Sequence, residues 1–267
     1  MNNILFRSGN NIEKSNYKVI FLLIIFLLFK IFYIGIYPFI NGNGSLIIIF
    51  KPLIFYFIYY LILYLFNSKH DSYYLLSSLI IAFIVPINTS INVFIICSVI
   101  GNIIKCLFKN KISDITFDLL IISLYSYYCG NFDMITFTGV FKYIYLLFIV
   151  ISLIFLTINN LIKTKVLLFP LISIIIFYIM DNSSMWDITL FCLLFIALDS
   201  RYSPITWYGQ LIGGIVFSVL LFIFKYICRL DYYLFLSLFL FELISIIINY
   251  LSVKLYGNKV FKFLFGD

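Results

Sequence analysis

The chain has 267 residues, 64% of them hydrophobic and 11% charged, and a formal charge of +7. Soluble domains are roughly a quarter charged, so a water-soluble enzyme or nucleic-acid binder is excluded and an all-α polytopic membrane protein is expected. One histidine, His70, argues against a His-based metal or haem site, and the five scattered cysteines, with no CxxC spacing, read as apolar residues of helices.

Residues 1–17 form a short tail. Apolar runs on the scale of a bilayer crossing follow at 18–37, 46–66, 73–85, 91–108 and 115–129, a first group of five within 18–130. The first run lacks a small-residue cleavage site and reads as a spanning helix, not a signal peptide. A short external loop, 131–139, leads to a second group within 140–256, with runs at 140–158, 165–180, 187–198, 205–227 and 232–255. Residues 257–267 form the second tail.

The basic residues set the orientation. With the N-terminus in the cytoplasm, Lys69, Lys105, Lys109, Lys111, Lys163, Lys165 and Arg201 fall inside. The outer loops carry Asp133, Asp181 and Asp187, and only the set Lys225, Arg229 and Asp231 is mixed. Cytoplasmic loops are enriched in Lys and Arg, so ten spans with both termini cytoplasmic are expected, in the cell membrane.

The third and eighth runs are short. "YYLLSSLIIAFIV" ends at Pro86 in "VPINTS", and "DITLFCLLFIAL" ends in "DSRYSPIT" with Pro204. A dozen helical residues rise only about 18 Å, too little for about 30 Å of hydrocarbon. Each is third in its group of five, and a longer run starts just after each proline. Short, interrupted helices at matching places in two halves are the mark of an inverted repeat, here five helices plus five, with the two breaks facing each other near the midplane.

Ionisable groups at membrane depth are costly and default to functional candidates. Asp118, Asp199 and Glu242 are the carboxylates so placed, and Ser90, Ser203 and Thr206 add hydroxyls at the breaks beside Pro86 and Pro204. These eight residues are the candidate ion or substrate pathway. Lys30 and Lys51 are expected to snorkel to an interface. Gly209, Gly213 and Gly214 form a GxxxGG surface suited to close helix packing.

The stretch "FIALDSRYSPITWYGQLIGG" resembles the "ATDPxTSPxTxxGxxIxG" pattern of the RnfD/NqrB family. Its members are membrane components of the Rnf electron transport complex and of the related sodium-pumping NADH:quinone reductase. Ala197, Asp199, Ser203, Pro204, Thr206, Gly209 and Gly213 fall on that pattern, and Ser200 replaces a proline. "DSYYLLSSLIIAFIVPINTSIN", "GNIIKCLFKNKISDITFD" and "FELISIIINYLSVKLYGNK" resemble further family segments in the same order. The resemblance implies a urea-transporter-like fold and a membrane subunit of a redox-driven translocase. It further implies companion membrane subunits, electron transfer coupled to sodium or proton movement, and FMN esterified to a threonine. The family's "SGAT" attachment sequence is missing from "GNFDMITFTGVFK". Thr136 and Thr138 are the positions left for covalent FMN, and loss of the covalent flavin is the expectation. The alternative is a stand-alone transporter or channel for a small solute or ion on the same fold. An enzyme acting on lipid-linked sugars would need a long polar loop, which the sequence does not have.

Overall fold

The computed structural model describes residues 9–42, 46–66, 72–107, 114–128, 137–159, 161, 166, 169–172, 174–175, 186–197, 204 and 206–256. Among these the protein is all-helical. Five helices are long and apolar enough to cross a membrane: Lys14–Ile40, Leu46–Phe66, Val140–Ile158, Trp207–Ile227 and Tyr233–Leu251.

In chain order, α1 is Gly9–Lys30, prolonged by a π-helical segment, Ile31–Ile36, and a turn, Tyr37–Ile40. Then come α2 (Leu46–Phe66), α3 (Ser72–Ile84), α4 (Ile91–Leu107), α5 (Asp114–Tyr128) and α6 (Val140–Ile158). Next is α7 (Trp186–Cys192), which passes into a π-helical segment, Leu193–Ala197. The last two are α8 (Trp207–Phe222, with a π-helical end at Ile223–Ile227) and α9 (Tyr233–Tyr256). The span expected at 165–180 lies mostly outside the described residues; 169–172 and 174–175 are helical there.

The long helices show lipid-facing stripes. On α6, Tyr143, Leu147, Val150, Ile151, Ile154 and Ile158 are exposed, while Tyr145, Ile149, Ser152 and Leu156 are buried. That three-to-four-residue alternation is the pattern of a helix with one side against protein, and in a membrane the apolar outer side meets lipid.

The short α3 is the core instead. Every one of its residues except Leu75 is buried. It lies parallel to α1. Asn16 on α1 donates to the Ser72 hydroxyl at 3.0 Å at one end, and Lys30 reaches the last turn of α3 at the other. Gly35 lets α1 approach α2, since a Cβ there would sit 2.9 Å from the Ile49 Cα.

The two short helices α3 and α7 meet. The Phe83 ring on α3 stacks on Phe191 of α7 with centroids 4.1 Å apart. Phe26 on α1 packs edge-on against both rings, at 5.8 and 5.4 Å, and against Tyr145 of α6 at 5.8 Å. The rings thereby join α1, α3, α6 and α7, and such pairs add about 0.5–1.5 kcal/mol each beyond their buried area.

Candidate functional site

The break after α3 begins with a missing donor. In a continuing helix the N–H of residue 86 would bond the Ala82 carbonyl; Pro86 has no N–H. The ladder stops with the Val85 N–H donating to the Ile81 carbonyl at 2.9 Å. A loose turn follows, in which the Thr89 N–H reaches the Pro86 carbonyl at 3.2 Å. The carbonyls of the last helical turn are left for other donors.

Two lysines supply them. Lys30 is fully buried, and its ammonium donates to the carbonyls of Ala82, Phe83 and Val85 at 2.8, 2.7 and 2.9 Å. Snorkelling, the sequence-based expectation for Lys30, is therefore corrected: the ammonium points into the protein, because backbone acceptors there replace water. Lys51 on α2 is half-buried; it donates to the Ile87 carbonyl and lies over the Phe55 ring, 5.8 Å from its centroid. Four carbonyls of one break are thus met by side chains from two other helices. The positive charge also lies against the negative end of the α3 dipole.

The carboxylates lie on the other side of α3's neighbours. Asp118 on α5 is fully buried and accepts a hydrogen bond from the Tyr59 hydroxyl of α2. It presses against α4 at Gly101, where a Cβ would coincide with the carboxylate oxygen Oδ1. Glu242 on α9 is buried, and its Oε2 accepts from the Thr116 hydroxyl of α5 at 2.8 Å. One helix, α5, therefore carries one carboxylate and a hydroxyl that serves the second. A small cavity, with room for about one water molecule, lies between the break, α5 and α9, lined by Val85, Pro86, Leu119, Ser123 and Phe235 among others.

The hydroxyls at the breaks have structural partners. Thr206 caps α8, its side chain accepting from the Gly209 N–H at 3.2 Å. Ser90 precedes α4 in the same way, with the Val93 N–H at 3.4 Å from its hydroxyl. Pro204 is buried against α8: a Cβ on Gly213 would meet its ring at 2.9 Å. A Cβ on Gly214 would meet the Val166 carbonyl oxygen at 2.7 Å. The GxxxGG face is a packing surface between Pro204, Val166 and α9. Asp199 and Ser203 lie outside the described residues, as does Thr136.

Thr138 is exposed just before α6. Its N–H donates to the Tyr33 hydroxyl at 3.2 Å, and the two hydroxyls are 3.1 Å apart. The buried Phe137 ring anchors this segment against Tyr33 and Tyr145, at 4.9 and 4.5 Å.

Among the described residues the structure brings Pro86 to the Lys30 and Lys51 ammoniums, and it sets Asp118 and Glu242 on facing helices. Tyr59 and Thr116 were not picked out in the sequence, and Gly101 only as the first residue of the family-like segment "GNIIKCLFKNKISDITFD". A tyrosine among 22 carries no signal, and the close approach at Gly101 is seen only once Asp118 is placed against it. No protein-family model matches the chain, and no curated protein matches it.

Proposed function

We propose that the chain is an integral membrane subunit of an Rnf-like complex that couples electron transfer to sodium or proton movement, built as a ten-helix, five-plus-five inverted repeat of the urea-transporter type. The observation that carries this reading is the meeting of α3 and α7 at Phe83 and Phe191. These are the two short helices whose positions in the sequence suggested the repeat. Both are followed by a proline and then by a hydroxyl residue at the start of the next helix, Pro86 with Ser90 and Pro204 with Thr206. Broken helices paired in this way are the general setting in which ion sites of transporters form. The resemblance around Pro204, Thr206, Gly209 and Gly213 supports the choice of family; fold alone would not fix a function.

In this reading Asp118 and Glu242 are the cation-handling groups. A buried carboxylate binds a proton or a sodium ion in exchange for losing its protein donor, and Tyr59 and Thr116 are the donors that hold each group between events. Asp199 and Ser203 would extend the path at the second break.

FMN, if esterified to this chain, has Thr138 as its described attachment point. The exposed side chain, whose hydroxyl pairs with Tyr33 among the described residues, supports that choice of position. Tyr33 and Tyr37 pack on Phe141 at 5.0 Å each and would offer a ring surface beside it. The flavin would supply the redox step; these residues would position it.

The test is co-purification. Extracted under mild conditions, the protein should migrate with other membrane subunits and with a ferredoxin-like or NADH-oxidising partner. Migration alone, with solute or ion flux retained in liposomes, overturns the complex and favours the stand-alone transporter. In-gel fluorescence after denaturation, with a flavin transferase co-expressed, decides the ester: a band lost in Thr138→Ala places FMN there.

A further inference from the structure

Half-helix C-terminal ends and unwound carbonyls are a general means of holding cations inside membrane proteins. The end of α3 has that form, and its carbonyls already surround a cation. An ammonium has three donors and no acceptor. Lys30 directs one to each of Ala82, Phe83 and Val85, all between 2.7 and 2.9 Å. The group is fully buried, and among the described residues these carbonyls are its only hydrogen-bond partners.

We propose that the first break is a monovalent-cation site whose resident is the protein's own Lys30 ammonium. The three-carbonyl cradle takes a free primary ammonium once that side chain is removed. Four features carry this. Pro86 frees the Ala82 carbonyl. The α3 dipole adds negative potential at the same end. The donor set is carbonyl oxygen without carboxylate, which suits a single positive charge rather than a divalent ion. The cradle is also held independently of the lysine, by the Asn16–Ser72 pair at the far end of the helices and the Phe26–Phe83 contact one turn below. Lys51 at the Ile87 carbonyl adds a second positive charge, whose repulsion disfavours a further cation there. A mobile cation therefore finds the first break filled and is directed to Asp118 and Glu242. That last step rests on the ion-translocating reading; the cradle does not.

The experiment uses the full chain in detergent, as wild type and as Lys30→Ala. Thermal unfolding is followed at constant ionic strength in ammonium, methylammonium, sodium or tetramethylammonium chloride. A ligand that binds only the folded state raises Tm with its concentration. Lys30→Ala is expected to gain Tm with ammonium and methylammonium but not with tetramethylammonium, and the wild type is expected to show no such gain. An equal gain in the wild type, or no ammonium-specific gain in Lys30→Ala, overturns the proposal. If Lys30→Ala does not fold, it is purified again in parallel with Lys30→Gln, with methylammonium or sodium throughout. Folded protein recovered with methylammonium alone supports the cradle, and equal recovery or none in both salts overturns it. Neither readout depends on electron transfer or ion flux, so its failure is separate from failure of the proposed function.

Discussion

Asp118 is held between a hydroxyl and a missing methyl. Tyr59 donates to it from α2, and Gly101 on α4 leaves the space its carboxylate fills. Overpacking a buried site costs about 1–3 kcal/mol. Gly101→Ala should therefore lower the thermal midpoint clearly, and Asp118→Ala, by vacating that space, should reverse most of the added loss. A double-mutant cycle on the full chain reads this coupling; additive losses would show that the glycine serves something else. For Glu242 the donor is Thr116. Thr116→Val keeps the shape and removes the hydroxyl, and losing a partner of a buried acceptor costs about 1–3 kcal/mol. Thr116→Ser should retain stability. At the second break the Thr206 hydroxyl is a helix cap, so Thr206→Ala should cost about 1 kcal/mol and Thr206→Ser close to nothing.

Among the elements, α3 is decisive because it is short and buried. At 13 residues it rises only about 20 Å, and what it lacks in length is made up by partners. Phe83 is its contact with α7. Truncating a buried Phe costs about 3–5 kcal/mol, so Phe83→Ala and Phe191→Ala should each destabilise strongly. Their double variant should recover about 0.5–1.5 kcal/mol of pair coupling, measured by denaturant or thermal unfolding. On α8, Gly214→Ala should be worse than most glycine changes, because its neighbour is the Val166 backbone oxygen at 2.7 Å and not a side chain that can turn away. The existence of α3 and the place of its break were legible in the sequence, since a short apolar run and a proline are local signals. The partners of the break were not. Lys30 reaches carbonyls 52 to 55 residues away, and a backbone acceptor has no signature in sequence, so snorkelling was the natural but mistaken expectation. Thr206 could be placed at a helix start but not as a cap until the Gly209 N–H was seen beside it.

At the scale of the whole molecule, five crossing helices follow from length and composition, while the ten-span order with both ends inside is a proposal about sides. Cys228 is exposed at the end of α8, whereas Cys97 and Cys192 are buried. In that order Cys228 faces outward. A chain with Cys228 as its only cysteine should react with a membrane-impermeant maleimide added to intact cells, and labelling only after permeabilisation would reverse the orientation. The Lys30 contact also bears on how the chain is made. An α3 inserted alone would bring bare carbonyls into hydrocarbon, where each unmet backbone group costs several kcal/mol. The ammonium that meets them arrives on α1, which is synthesised earlier and carries its charge at a depth that is itself unfavourable alone. Each segment thus lowers the cost of holding the other at that depth, and the contact that does so joins groups 52 to 55 residues apart in the order of synthesis.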